Sequence, residues 1–287
     1  MTTSLHLVDT CSTEGDACDF SIAENLCDVI SNEWVNEEYK HLVLNAPATA
    51  LAVQPGQFFH LLCPPVDGNA TYLRRPMSLY RVSSSNKRIE FLYKVQGAGT
   101  RGLATLTAGD TLNALGPVGV GFQLPEACRH VLILARGVGL ATMASLAEHA
   151  IARGAAVTAI LSARSPRLVM SADYLRSVGA RVLSVHDDDG SSAVEAVREL
   201  IAAEHRRAPF DLFTTCGSNR LLQLLKELGA QWQVPGQVAM EQHMGCALGM
   251  CFACVKPFRK YEGADTISYR RVCWDGPVFN LQETVSW

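Results

Sequence analysis

Between residues 125 and 235 the sequence alternates a short apolar run with a longer amphipathic one. "HVLILA" precedes "GLATMASLAEHAIARG", "AVTAILSA" precedes "SADYLRSVG", "RVLSVHD" precedes "SAVEAVRELIAAEH", and "LFTTCG" precedes "SNRLLQLLKELG". Short strands that are apolar throughout, each followed by a helix with one apolar stripe, are βαβ units. Such units close only into a parallel sheet with helices over its faces, so this stretch predicts an α/β domain.

Residues 24–124 follow a different pattern. "LCDVIS", "HLVLNA", "QFFHLLC", "SLYRVS", "IEFLYKV" and "DTLNAL" are β-rich runs, punctuated by Pro55-Gly56, Gly97-Ala98-Gly99 and Gly109-Asp110. No helical period intervenes before "TRGLATL", and a small antiparallel β-barrel is the expected architecture. Residues 1–23 are a polar extension carrying Cys11 and Cys18, with Cys27 just beyond. Their spacing matches no metal pattern, and free thiols are the expected state.

The last segment, 236–287, is rich in cysteine and glycine and too short for a large core, so something besides apolar burial must organise it. The N-terminus has neither a basic nor an apolar leader region, and no run is apolar enough to span a bilayer, which predicts a cytoplasmic protein. In that compartment ten cysteines are expected as reduced core residues or metal ligands. The net charge of −3, with no basic stripe, argues against a nucleic-acid or membrane-surface partner.

"MGCALGMCFACVKPF" places Cys246, Cys251 and Cys254 at C-x4-C-x2-C, and "RRVCWDGPVF" adds Cys273. Soft thiolates suit iron bridged by sulfide, and this is the plant-type [2Fe–2S] spacing. Gly245, Ala247, Gly249 and Ala253 leave room for backbone N–H groups to approach a negative cluster. A structural zinc site and unligated core cysteines are the competing readings; zinc ordinarily takes two close pairs, and this stretch has one. A one-electron centre calls for an electron source elsewhere in the chain. "YLRRPMSLY" offers Arg75 and Ser78 on one extended segment, a guanidinium for a phosphate and a hydroxyl beyond it. "LYKVQGAGT" offers Gly97 and Gly99 for close backbone approach and the Thr100 hydroxyl.

Together these residues resemble the iron–sulfur flavoprotein electron-transfer subunits of dihydroorotate dehydrogenase, within the ferredoxin-reductase-like superfamily. The resemblance runs from about residue 24 to 282, through "PGQF", "RRPMS", "YKVQGAGTRGL", "LGPVGVGF", "DDGS", "TCGS" and the cysteine segment closing on "VCWDGPVF". It implies an FAD-binding barrel over 24–124, an NAD(P)-binding-like domain over 125–235 and a [2Fe–2S] domain over 236–287. It implies flavin contacts from Arg75, Pro76, Met77, Ser78, Leu92, Tyr93 and Lys94, with Gly99 and Thr100 at the pyrophosphate. Cys246, Cys251, Cys254 and Cys273 would hold the cluster, and Gly137, Gly139 and Cys216 would meet a nicotinamide nucleotide. The implied function passes electrons between NAD(P)H and a catalytic, FMN-type flavoprotein in a hetero-oligomer. A nicotinamide gives two electrons as hydride and a cluster takes one, and a flavin joins the two chemistries.

The match departs from the family pattern in the longer gap before Cys273, in the N-terminal extension, which has no family counterpart, and in one turn. The turn "ILARGVGLAT" has Ala135 and Arg136 where glycines are usual, so Arg136 either pairs with a pyrophosphate or blocks it. Cys216 is equally readable as a small hydrophobe at a strand end. Arg164 and Arg167 read as surface charge or as ligands of a 2′-phosphate. None of the eight histidines sits in an acid–base pattern, as suits an electron relay without catalytic residues of its own. The alternatives are a self-sufficient NAD(P)H-dependent reductase feeding an oxygenase, a relay with a degenerate nicotinamide site, and a zinc-stabilised binding module.

Overall fold

The computed structural model describes residues 22–66, 68, 71–260 and 263–285. Cys11 and Cys18 lie outside the described residues.

The first sheet is antiparallel. Its strands are β1 (Ala23–Trp34), β2 (Tyr39–Asn45), β3 (Phe58–Leu61), β4 (Arg75–Ser78), β5 (Arg81–Ser83), β6 (Arg88–Lys94) and β7 (Thr111–Val118), with short helices α1 (Ala48–Leu51) and α2 (Ala98–Ala104) between them. The spatial order is β4-β3-β7-β1-β2-β6-β5. Alternate residues of these strands point inward, and Leu42, Leu44, Phe59, Leu61, Ile89, Phe91 and Tyr93 fill the inside of the curl. The expected barrel does not close: β4 and β5 are the two edges of an open, strongly curled sheet. Closure would need the two edge strands to pair with each other, and they do not: β4 hydrogen-bonds to β3 and β5 to β6, and β4 and β6 both face one cavity.

Asn32 locks this sheet to α2. Its side-chain amide donates to the carbonyls of Leu103 (2.8 Å) and Leu106 (3.0 Å), and its Oδ1 accepts from the Tyr93 hydroxyl (3.0 Å). Asn32→Leu would strand these buried groups at roughly 1–3 kcal/mol for each one left unsatisfied. Its thermal midpoint is expected to fall by several degrees, with Tyr93→Phe falling less; equal midpoints for wild type and Asn32→Leu would remove Asn32 from this role.

The second sheet takes β8 (His130–Arg136), β9 (Ala156–Ala163), β10 (Arg181–His186), β11 (Leu212–Cys216) and β12 (Gly236–Ala239) in parallel, in the order β10-β9-β8-β11-β12. Helix α3 (Gly139–Ala152) packs on one face with α4 (Ala172–Ser177), while α5 (Val194–Arg207) and α6 (Asn219–Trp232) pack on the other. The sheet is mixed and not purely parallel. After the hairpin β13 (Val255–Arg259) and β14 (Ile267–Arg271), the chain adds β15 (Val278–Asn280) antiparallel to β12. The cysteine-rich segment therefore borrows a core: Met244, Ala247, Cys254, Phe258, Val272 and Phe279 join the α5–α6 side of the second sheet in one apolar cluster.

Candidate functional site

A cavity of about 370 Å3 lies where the curled sheet, the second sheet and the cysteine segment meet. Pro76, Met77 and Ser78 of β4, Leu92, Tyr93 and Lys94 of β6, and Thr100 of α2 line one side; Val138, Ala141 and Thr142 line another, and Met240 to Met244 a third. Seven of the nine residues expected at a flavin thus share one wall. The Tyr93 ring points into the sheet interior, where burial pushes its phenol up, so β6 offers the cavity main chain at that position.

Arg75 and Gly99 complete the set beside that wall. The Arg75 side chain runs across Gly99, where a Cβ would lie 2.8 Å from its Cγ and Nε. The guanidinium also donates to the Leu73 carbonyl at 2.5 Å. Thr100 Oγ1 accepts the N–H groups of Gln96 and Gly97 at 3.0 Å, which fixes the turn into α2.

Gly137, Gly139 and Cys216 come together at the C-terminal ends of β8 and β11. Gly137 has φ +56°, and a Cβ on Gly139 would sit 2.6 Å from the Cys216 carbonyl oxygen, so only glycine lets α3 start this close to β11. Burial pushes the Cys216 thiol up, and its nearest polar partner is Thr142 Oγ1 at 3.9 Å, so it stays a neutral thiol. A second cavity of about 240 Å3 opens here between Tyr39, Arg136, Gly137, Ala163 and Gly217. Arg136 is not free: it meets Asp187 at 2.6 and 3.1 Å and Ser162 Oγ at 2.8 Å. Arg164 is paired with Glu38, and Arg167 faces Glu37 at 3.6 Å, so both guanidiniums already have carboxylates.

The cysteines gather as two pairs. Cys246 and Cys251 flank a tight loop in which Ala247 (φ +60°), Gly249 (φ +73°) and Phe252 (φ +58°) take left-handed backbone. That loop aims the N–H groups of Leu248, Met250 and Cys251 at Cys246 Sγ, at 3.3–3.4 Å. Burial raises the Cys246 thiol, but the converging N–H groups outweigh it and draw it down to about 7. The long gap before Cys273 is the β13–β14 hairpin, whose base apposes Cys254 and Cys273: the Val272 N–H donates to the Cys254 carbonyl (3.2 Å), and the Cys273 N–H reaches Cys254 Sγ (3.4 Å). Arg271 ties hairpin to loop, donating to the Gly249 carbonyl (3.2 Å) and to Asp275 (2.9 Å). Among the described residues no three or more His, Cys, Asp or Glu side chains gather tightly enough for one metal ion. The thiols thus stand as two pairs, Cys246 with Cys251 and Cys254 with Cys273. That donor set fits a cluster of two bridged irons, each of which needs two terminal thiolates.

Sequence reasoning missed Glu241. It lines the flavin-side cavity, the Arg136 cavity and a third cavity of about 200 Å3 beside Cys216. Its exposed surface faces these cavities, and the surrounding protein pushes its carboxyl up. Its sequence signal was weak, a single carboxylate in the run between β12 and the first cysteine.

Residues 241–285 match the family model for the iron–sulfur cluster binding domain of dihydroorotate dehydrogenase B. The NAD(+)-type dihydroorotate dehydrogenase B electron transfer subunit of Bacillus cereus (strain 03BB102) is 31% identical over 260 residues, which span 90% of this chain and 96% of that protein. The counterpart in Bacillus anthracis (strain CDC 684 / NRRL 3495) matches equally. In fold, the chain is similar to a solved NADH-dependent reduced ferredoxin-NADP oxidoreductase (TM-score 0.74, 22% identity, 91% of this chain and 90% of that one). It is also similar to the ferredoxin reductase in carbazole 1,9a-dioxygenase (TM-score 0.60, 18% identity, 73% and 66% covered). Matched over nearly the whole length of these relatives, the chain belongs to the family of dihydroorotate dehydrogenase B electron-transfer subunits, oxidoreductases with a ferredoxin-reductase-like fold.

Proposed function

We propose that the chain takes electrons from, or returns them to, a nicotinamide dinucleotide and exchanges them with a catalytic flavoprotein that oxidises dihydroorotate. FAD and a [2Fe–2S] cluster are its resident carriers. The observation that carries this reading is the first cavity, which is bordered in turn by the expected flavin residues, by the Val138–Thr142 start of α3, and by the Met240–Met244 run leading into the cysteines. When bound, FAD exchanges hydride for single electrons and the cluster carries one electron at a time.

The residues of this chain do the placing. Arg75, with Gly99 and Thr100, holds the diphosphate of FAD, and Pro76, Met77, Ser78, Leu92, Tyr93 and Lys94 form the wall against its ring system. Gly137, Gly139 and the neutral Cys216 thiol receive the nicotinamide half. Cys246 with Cys251, and Cys254 with Cys273, hold one iron each, and the N–H groups on Cys246 stabilise negative charge there. The expected division into a flavin domain (24–124), a nucleotide domain (125–235) and a cluster domain (236–287) is part of this proposal.

The partner face is the rim of the cysteine loop. Met250, Phe252 and Trp274 are 77%, 63% and 45% exposed there, an apolar group suited to a protein contact. Among the described residues no helix is long and apolar enough to cross a membrane.

An anaerobic absorption titration with NADH and with NADPH, with iron, sulfide and flavin assayed on the same sample, tests the reading. About two irons and one FAD per chain are expected, with both centres bleached by NADH. Bleaching by dithionite alone would leave the relay fed by another protein, and colourless protein carrying zinc would reject the cofactors outright. Purification with a stoichiometric flavoprotein separates the subunit from a free-standing reductase.

A further inference from the structure

In the second sheet the chain runs from β8 outward through β9 and β10, then returns to place β11 on the other side of β8. A sheet wound this way receives its ligand beyond the C-terminal ends of the strands, at that reversal. The 240 Å3 cavity lies there, with Gly137 and Val138 ahead of the 14-residue helix α3 and Arg136 forming part of the wall. No side chain caps α3: its N-cap residue is Val138.

Arg136 is the basic side chain that ends β8. Its guanidinium reaches across the end of β9, through Ser162 Oγ at 2.8 Å, to a bidentate pair with Asp187 just after β10, at 2.6 and 3.1 Å. Asp187 has other partners. The Ser192 hydroxyl donates to it, and Arg220, at the start of α6, approaches it at 3.4 Å. Two guanidiniums therefore share one carboxylate. The shared carboxylate also makes exchange inexpensive, because Asp187 keeps Arg220 and Ser192 if Arg136 leaves, and no buried charge is orphaned. Asp187 is 40% exposed and Arg136 21%, so water reaches both during the exchange.

We propose that Arg136 is the diphosphate-binding residue of the nucleotide site and that Asp187 is its built-in competitor: an entering nucleoside diphosphate takes the guanidinium from Asp187, which then rests on Arg220. The proposal rests on the reading that a nicotinamide dinucleotide binds this chain, and it assigns the affinity of that site to one exchangeable ion pair. Asp187 stays ionised throughout the physiological range, since Arg136, then Ser192, hold its carboxyl down to about 2, so the competition runs on phosphate and salt and not on pH.

The test is calorimetric titration of the flavin-loaded protein with ADP-ribose, which carries the diphosphate without the nicotinamide, alongside flavin reduction by NADH. Asp187→Asn keeps the shape and still accepts from Ser192, but it releases the guanidinium; ADP-ribose is expected to bind about tenfold tighter, the order of one charge-assisted hydrogen bond. Arg136→Gln is expected to bind about tenfold more weakly. Arg220→Gln, which leaves Asp187 wholly dependent on Arg136, is expected to weaken binding a few-fold, an effect that a merely structural role for Arg220 would not produce without lowering the thermal midpoint. Unchanged affinity in Asp187→Asn, or tighter binding in Arg136→Gln, overturns the proposal and makes Arg136 a plug. If NADH reduces wild type and all three variants at the same concentrations, the nicotinamide reading stands and this inference fails. If neither ADP-ribose nor NADH engages any of the four proteins, both fail together.

Discussion

Cys254→Ser is expected to empty the chain of iron while leaving its flavin in place. Cys254 is buried at the base of the β13–β14 hairpin, and it accepts the Cys273 N–H at sulfur and the Val272 N–H at its carbonyl. The carbonyl contact survives the substitution, so the hairpin base persists. What is lost is the soft donor, and one iron keeps a single thiolate from this pair; a serine oxygen is a poor substitute for sulfur at iron. Iron is expected to fall from about two per chain to near none, with the visible bands of the cluster gone and the flavin bands retained. The expected flavin retention follows from the pairing of the strands, since the proposed flavin residues sit on β4, β6 and α2, and the hairpin strands β13 and β14 pair with each other and with neither β4 nor β6. An unchanged spectrum would strike Cys254 from the ligand set.

The second large effect belongs to Arg75. Arg75→Ala removes the guanidinium proposed to face the flavin diphosphate, and a charge-assisted contact of about 1.5–3 kcal/mol corresponds to FAD binding weakened roughly 10- to 100-fold, with iron content unchanged. Gly99→Val separates charge from placement. It keeps the guanidinium but puts a Cβ 2.8 Å from Arg75 Cγ and Nε, which must then swing away. Both variants are expected to lose flavin during gel filtration. Retention in Gly99→Val with loss in Arg75→Ala would mean that charge alone matters, and parallel loss of iron and flavin in either would point to unfolding instead.

What the sequence made legible was local. The spacing marked three thiols because Cys246, Cys251 and Cys254 sit in one short stretch of chain, and the alternation after residue 125 marked the strands because each carries its own pattern. The glycines of "QGAGT" pointed to backbone approach by a pyrophosphate; in the structure the Arg75 side chain lies over Gly99, and nothing lies within 4 Å of a Cβ placed on Gly97. What stayed hidden depends on pairings between distant segments. Whether the first sheet closes is decided by whether its edge strands β4 and β5 meet, which no property of either strand encodes. The partner of Arg136 lies 51 residues away on another strand end, so the sequence left pairing and blocking equally open. The spacing of the four cysteines does not say which thiol meets which, and the hairpin filling the gap before Cys273 brings it to Cys254. Arg164 and Arg167 looked available for a phosphate until the β1–β2 turn brought Glu37 and Glu38 against them.

The short strand β15 also bears on how such a chain can be taken apart. Val278–Asn280 seals the edge of the second sheet against β12, and the residues before it bind both to the end of the first sheet, with the Val120 N–H on the Gly276 carbonyl (2.6 Å), and to the end of β12, with the Met240 N–H on the Pro277 carbonyl (2.9 Å). The cysteine-rich segment is thus not a cassette that can be cut off at its first cysteine and spliced to another reductase. Removing it would uncover a bare strand edge open to pairing with other chains, so an engineer seeking a cluster-free version should mutate the thiols and leave the C-terminal stitch in place.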